Sequence, residues 1–219
     1  MDKTMLRRRP LFAGGRLQLV RRHGKRLALV VAAGASLGGG TVLAGARLDQ
    51  QNPFTTDTAR FGQGIQMTAM SGQTFTAGAT GSLDRVAVYL DPIQEEPLQP
   101  AAIFLDVYPT DGAGLPRTDG APIGSGRAPT PDPAQGPEFV TIALSHPAAV
   151  KAGKVYAIVL HSDVEIEFSL SWEGSAGPNL YPGGGEALRF DANSPWKVFP
   201  QDDYFFKTFV TPSRRRGHK

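Results

Sequence analysis

The chain has 219 residues and no cysteine, which excludes disulfide bonds and thiolate metal or catalytic sites. Its formal net charge is +3, but the charge is divided unevenly. Residues 1 to 46 carry nine Lys and Arg against the single acid Asp2, whereas residues 47 to 219 carry fourteen against nineteen Asp and Glu. The basic character therefore belongs to the first segment, and we expect no nucleic-acid partner for the acidic remainder.

The first 46 residues have the order of an export signal. A basic stretch, Arg21–Arg26, precedes an uncharged run from Leu27 to Ala46 that ends in Ala44-Gly45-Ala46, a small-x-small cleavage pattern. The sequence therefore predicts a signal peptide over residues 1–46, a secreted or cell-surface protein and no membrane contact after cleavage. The run is twenty residues long, so a retained membrane anchor is the alternative.

The remainder divides into three parts. Residues 47–62 are predicted to be a connecting arm that could add an edge strand, residues 63–212 a β-sandwich domain, and residues 213–219 a basic, disordered tail. From Gln63 onward, short segments with period-two hydrophobicity alternate with Gly, Pro, Asp and Asn, which is typical of sandwiches and barrels. We expect an all-β fold: a two-sheet antiparallel β-sandwich, jelly-roll-like.

Individual strands follow from the alternation of apolar and polar residues. The clearest segment is Val164–Leu170, whose even positions are apolar and whose odd positions are polar. The other predicted strands are Gln73–Thr76, Leu83–Leu90, Ile103–Tyr108, Pro122–Gly126, Phe139–Leu144, Val155–Leu160, Ala187–Phe190, Trp196–Phe199 and Tyr204–Val210. The breaks 111–116, 129–133 and 182–185 are rich in Gly and Pro and are predicted to be turns.

Several of these segments together resemble a known family. The matching stretches are Gln73–Gly78 leading into Leu83–Val86, the turn Asp111–Pro116, Val155–Ile158, Tyr181–Gly184 and Asp203–Phe209. They are similar to jelly-roll modules of exported bacterial surface proteins, of the choice-of-anchor or carbohydrate-binding-module type. The resemblance covers nearly all of residues 60 to 210. It implies a fold and an exported setting, and it carries no catalytic residues.

Three aromatic residues are the candidate ligand-binding residues. Trp172, Tyr181 and Trp196 fall near strand ends or in loops rich in Gly and Pro. An exposed flat ring in such a position can stack on a sugar face and loses little entropy in doing so. The alternative is that these rings cap the core of the sandwich, an alternative that is strongest for Trp172.

Acidic residues suggest two further sites. Asp191 and Asn193 in one loop, and Asp202 and Asp203 before the last strand, could supply oxygen ligands to a structural calcium ion, although no EF-hand spacing is present. No other cofactor is expected. The acidic row of Glu165 and Glu167, which share one strand face, could serve a glycan hydrolase or lyase if it met a second carboxylate across a cleft, but the pattern favours a solvated outer face.

The sequence thus predicts a non-catalytic, exported binding module whose partner is a polysaccharide or another extracellular polymer. A structural or adhesive protein that contacts a surface protein is the first alternative, and a carboxylate-based glycan hydrolase or lyase is the second. No residue pattern in the mature domain predicts a catalytic group.

Overall fold

The computed structural model describes residues 45–65, 67, 69–92, 102–163, 170–191 and 193–213. The predicted signal peptide up to residue 44 and the basic tail from residue 214 lie outside the described residues. Within the described ranges, no helix has the length and hydropathy needed to cross a lipid bilayer.

Thirteen strands and one short 3-10 helix, Pro133–Gln135, make up the described chain. The strands are β1 (Arg47–Asn52), β2 (Ala59–Gly64), β3 (Met70–Thr76), β4 (Gly81–Pro92), β5 (Ala102–Pro109), β6 (Gly124–Pro129), β7 (Glu138–Val150), β8 (Val155–Ser162), β9 (Leu170–Ala176), β10 (Glu186–Arg189), β11 (Lys197–Phe199), β12 (Asp202–Tyr204) and β13 (Phe206–Pro212). The fold is all-β and every strand pair is antiparallel.

Most strands lie where the alternation predicted them. Each of the nine predicted strands other than Val164–Leu170 overlaps an observed strand, and the predicted Tyr204–Val210 spans the end of β12 and most of β13. The predicted strand Val164–Leu170 falls outside the described residues except for Leu170, which begins β9. Residues 47–62, the predicted connecting arm, contain β1, which pairs with β13, and part of β2, which pairs with β9.

Hydrogen bonds join the strands into one continuous sheet, in the order β1-β13-β4-β7-β6-β5-β8-β3-β10-β11, with β9 pairing β4, β2 and β12. The two separate sheets of the predicted sandwich are not confirmed, because β7 links both halves. This long strand pairs with β4 along most of its length and with β6 through His146 and Leu144. A register shift between Ser125 and Gly126 interrupts the pairing of β6 with β7.

The sheet curls around a single main core. Phe75 of β3 and Phe206 of β13, far apart in strand order, have ring centroids 6.4 Å apart. Along β5 the residues Ile103, Leu105 and Val107 are fully buried in this core. The residues between them, including Phe104, point to the opposite, outer face. The outer face of β5, β8 and β3 carries a second, smaller cluster of apolar side chains.

Candidate functional site

An open depression of about 330 Å³ lies on the outer side of the curled sheet. We call it the Trp196 depression. Its lining combines one indole ring with a guanidinium, a hydroxyl and two carboxylates. The lining residues are Asp111, Leu115, Pro116, Arg117, Thr118, Asp119 and Trp196.

The loop that forms one wall is held by its own hydrogen bonds. Asp111 Oδ1 accepts from the backbone N–H groups of Ala113 and Leu115, at 2.8 and 2.9 Å. Gly114 has a φ of 81°, a left-handed conformation that glycine adopts without strain. The backbone N–H of Arg117 donates to the carbonyl of Pro109 at 3.0 Å, so the loop is tied back to the end of β5. The wall is therefore shaped before any ligand binds.

Trp196 forms the opposite wall and is half-buried. Its indole Nε1 donates to Thr118 Oγ1 at 3.0 Å, which joins the two walls. Beneath it lie Tyr108 and Val159 of the smaller apolar cluster. Gly72 of β3 lies next to the ring, since a Cβ there would be in ordinary contact with Trp196 Cζ3, at 3.5 Å. The ring is thus fixed on one side and borders the depression on the other.

Arg189 fixes the position of Trp196. Its Cζ lies 5.5 Å from the centroid of the indole ring, and Nη1 donates to Thr118 Oγ1 at 3.3 Å. Nη2 lies 3.1 Å from the sulfur of Met70. Nε is buried and has no hydrogen-bond partner in the described part of the chain. A guanidinium over the face of an indole ring is a favourable electrostatic arrangement, so the pair forms a fixed aromatic and cationic edge.

A polar and aromatic group continues along the same outer face. Tyr108 donates its hydroxyl to Asp106 Oδ2 at 3.4 Å, and His161 Nε2 lies 3.2 Å from the same oxygen. The imidazole of His161 stacks on Phe104 with ring centroids 5.3 Å apart and planes 10° apart. Burial, followed by the nearby charge of Asp106, raises the pKa of Tyr108 to about 12, so its hydroxyl stays protonated. We call Phe104, Asp106, Tyr108 and His161 the outer strip.

The prediction that Trp172 binds a ligand is wrong. Its side chain is fully buried in the main core and stacks on Tyr204, with centroids 4.2 Å apart. Its Nε1 donates to the backbone carbonyl of Phe205 at 3.1 Å. A ring with no exposed surface cannot stack on a sugar. This is the core role that the sequence left open as the alternative.

The structure also places Tyr181 in the core rather than on a binding surface. Its side chain is 7% exposed and meets Phe206 edge to face, with centroids 5.1 Å apart. Its hydroxyl donates to Gln50 Oε1 of β1 at 2.9 Å. Burial raises the pKa of this hydroxyl to about 12. Tyr181 therefore caps the core and ties its loop to the first strand, and the structure does not bring it to Trp196.

The four predicted calcium ligands serve two separate local structures. Asp191 Oδ1 accepts from the backbone N–H groups of Asn193 and Ser194. The Ser194 hydroxyl also donates to the Asp191 carboxyl group, and this bond, together with the backbone bonds, lowers the pKa of Asp191. Asp202 Oδ1 accepts from the Gly177 N–H at 3.2 Å. Among the described residues, no group of three or more His, Asp or Glu side chains is arranged to hold a metal ion.

Asp203, the fourth of them, belongs to a buried polar network. It is fully buried, and its two oxygens accept from Gln73 Nε2 at 3.0 Å and from the Tyr181 N–H at 3.1 Å. Burial raises its pKa. Nearby, Glu186 is 5% exposed and accepts from the Tyr204 hydroxyl at 2.9 Å, and burial raises the pKa of Glu186 to about 7. No substrate in solvent reaches these two carboxyl groups, so they affect the stability of the fold rather than the binding of a ligand.

Sequence reasoning found Trp196 but missed its neighbours in the depression. The sequence predicts only a turn over 111–116, and it does not mark Arg117, Thr118 or Arg189 as binding residues. Thr118 and Trp196 are 78 residues apart, and their contact depends on the pairing of β10 with β3 and β11. The outer strip could have been found in part, because Phe104, Asp106 and Tyr108 occupy alternate positions of a predicted strand.

Comparison with known proteins shows a similarity to solved structures only. The chain matches no protein-family model and no curated protein. It is similar to the crystal structure of the cysteine protease and lectin-like domains of Cwp84, a surface layer associated protein of Clostridium difficile, with a TM-score of 0.41 and 11% identity. The match covers 70% of this chain and 36% of that chain, so this chain spans little more than a third of that structure's length.

Proposed function

We propose that this chain is an exported, non-catalytic module that binds polysaccharide in the Trp196 depression. The observation that carries the proposal is the half-buried Trp196 ring, fixed by Thr118 and Arg189 at the edge of an open depression. A flat ring beside hydrogen-bonding groups is the usual way in which proteins hold a sugar, because the apolar sugar face stacks while its hydroxyls need polar partners.

The polar lining supports a ligand that both donates and accepts hydrogen bonds. Arg117 supplies a donor whose side chain is 58% exposed, and Asp119 supplies an acceptor that is 78% exposed. These two charges lie 3.9 Å apart and offset each other. Hydroxyl groups satisfy both kinds of partner at once, whereas a fully anionic or cationic ligand would meet repulsion from one of them. An uncharged polysaccharide therefore fits this lining best.

Export is part of the proposal and is supported by the sequence. The basic stretch Arg21–Arg26 and the uncharged run to Ala46 have the order of a cleaved signal. Strand β1 begins at Arg47, directly after the predicted cleavage site, so cleavage there would leave every described strand in the mature protein. We propose that the mature domain acts outside the cell or at its surface, as the exported jelly-roll modules it resembles do.

Binding can be tested by co-sedimentation with insoluble cellulose, xylan and chitin. The wild-type domain is compared with Trp196→Ala and with the control Phe139→Ala, which removes another half-buried ring, one packed on Tyr89 of β4. We expect the wild-type domain to be retained on at least one polysaccharide. Trp196→Ala should bind that polysaccharide with roughly tenfold lower affinity, and the control should be retained as wild type is. Equal retention of both variants would contradict the proposed site.

A further inference from the structure

We propose that the binding surface continues from the Trp196 depression over the outer strip, so that the ligand is an extended segment of polysaccharide rather than a single sugar. The inference rests on the proposed function and adds the length and direction of the ligand. It follows from strand register, from side-chain contacts and from the chemistry at the far end of the strip.

Strand register places the depression and the strip on one face. Ala187 of β10 is opposite Gly72 of β3, Gly72 is opposite Val159 of β8, and Val159 is opposite Asp106 of β5. Side chains of directly opposed residues in antiparallel strands share a face. Four neighbouring strands therefore share one outer face, on which Ala187, Gly72 and Val159 are buried beneath the side chains that pack over them. Three strand spacings amount to about 14 Å, which is longer than one sugar ring.

Packing and hydrogen bonds connect the two ends of this face. Trp196 packs against the cluster that contains Tyr108 and Val159, which are 8% and 0% exposed. Tyr108 in turn donates to Asp106, and Asp106 contacts His161 at 3.2 Å. The buried cluster therefore supports both ends, and the partly exposed groups that a ligand would contact are Trp196 at one end and Phe104, Asp106 and His161 at the other.

The far end repeats the chemistry of the depression. Phe104 and His161 form a stacked aromatic pair, and the Asp106 side chain is 18% exposed and that of His161 25% exposed. The group therefore offers a flat apolar surface next to an acceptor and an imidazole, as Trp196 does next to Asp111 and Arg117. Two aromatic positions on one face suit two sugars of one extended chain. The ligand would run across the strands, from β10 towards β5.

The test is the dependence of affinity on chain length, measured by isothermal titration calorimetry. The probes are cellobiose and cellohexaose, xylobiose and xylohexaose, and chitobiose and chitohexaose. The proteins are the wild-type domain, Trp196→Ala, Phe104→Ala, Asp106→Asn and the control Phe139→Ala. Asp106→Asn keeps the shape of the side chain, so it tests the strip even if Phe104→Ala unfolds, and circular dichroism reports folding of each variant.

We expect a hexasaccharide to bind at least tenfold more tightly than its disaccharide. Phe104→Ala and Asp106→Asn should each weaken hexasaccharide binding several-fold and leave disaccharide binding unchanged, while Trp196→Ala weakens both. Equal affinity for both lengths, or folded strip variants with wild-type hexasaccharide affinity, would overturn the extended surface while leaving the depression as a site. If no probe binds, or if Trp196→Ala binds as wild type does, the proposed function itself is wrong and the extension falls with it.

Discussion

The indole ring of Trp172 lies parallel to the phenol ring of Tyr204, with centroids 4.2 Å apart and planes 15° apart. Both side chains are fully buried, and each has its polar atom satisfied, Trp172 Nε1 by the Phe205 carbonyl and the Tyr204 hydroxyl by Glu186. The stack thereby joins β9 to β12 and, through Glu186, to β10. The pair therefore links three strands within the core.

Removing the indole of Trp172 should therefore destabilise the domain far more than removing that of Trp196. Trp172→Ala deletes a fully buried side chain and leaves a cavity, and we expect a loss of about 3–5 kcal/mol in the free energy of unfolding. Trp196→Ala, at a half-buried position, should lower the free energy of unfolding by clearly less. Urea unfolding followed by circular dichroism measures both. Similar losses for the two variants would show that Trp196 is also a core residue.

Glu186 should make the stability of the domain fall as the pH rises. Burial raises its pKa from 4.5 to about 7, so the native state binds this proton more tightly than the unfolded state does. Its contribution is therefore fully present below pH 4.5, declines between pH 4.5 and about 7, and is lost above that range. Glu186→Gln keeps an acceptor for the Tyr204 hydroxyl and carries no charge.

We accordingly expect Glu186→Gln to gain stability over wild type as the pH is raised from 5 to 8, measured as the difference in urea midpoint at each pH. After burial, the nearby charges of Asp202 and Asp203 also raise the pKa of Glu186, so part of this gain reflects the relief of their repulsion. Asp191→Asn is a suitable control, because hydrogen bonds lower the pKa of Asp191, so that its carboxyl group is ionised in both the folded and the unfolded state from pH 5 to 8 and its difference from wild type should stay constant. A constant difference between Glu186→Gln and wild type would mean that Glu186 is already ionised in the folded protein.

Tyr181 should behave as a core cap. Tyr181→Phe removes the hydrogen bond to Gln50 and should cost about 0.5–1.5 kcal/mol, whereas Tyr181→Ala also removes the contact with Phe206 and should cost about 3–5 kcal/mol. Thermal unfolding of both variants checks this order. Neither change should alter retention on polysaccharide while the protein is folded. If Tyr181→Phe is folded but is no longer retained on the polysaccharide, Tyr181 is part of the binding surface and its assignment as a core cap is wrong.

Cleavage of the leader remains a prediction of the sequence. N-terminal sequencing of the secreted protein should start at or near Arg47, which keeps β1 intact. In that strand Asn52 Nδ2 donates to the backbone carbonyls of Asp203 and Tyr204, at 3.3 and 3.0 Å. Cleavage beyond Asn52 would therefore remove buried hydrogen bonds. Recovery of an intact Met1 terminus in the membrane fraction would show that the apolar run is an anchor.

The positions of most strands could be predicted because one face of each is buried. In β5, the buried residues Ile103, Leu105 and Val107 alternate with partly exposed ones, and the sequence shows this alternation directly. Strand β9 alternates as well, since apolar Leu170 and Trp172 lie between polar Ser171 and Glu173, and this alternation favours the core position of Trp172. The burial of Ser171 and Glu173 could not be predicted, because it depends on β2, β4 and β12, which meet β9 only in the folded chain.

The candidate site was only half predictable for a different reason. Trp196 could be identified by its residue type and its position near Gly and Pro. Its partners Thr118 and Arg189 could not, because they are polar residues of ordinary loops and strand ends that meet Trp196 only in the folded chain. The same holds for Asp203, which was predicted as a calcium ligand and instead accepts from Gln73, 130 positions away.

The most direct test uses the fact that the chain has two tryptophans. In a proton–nitrogen NMR spectrum of the mature domain, each contributes one indole signal, and Trp196→Phe assigns them. Titration with the polysaccharide fragment that binds in calorimetry should shift the Trp196 indole signal and leave the buried Trp172 signal in place. Binding that leaves the Trp196 signal unmoved would contradict the proposal that this chain holds its ligand in the Trp196 depression.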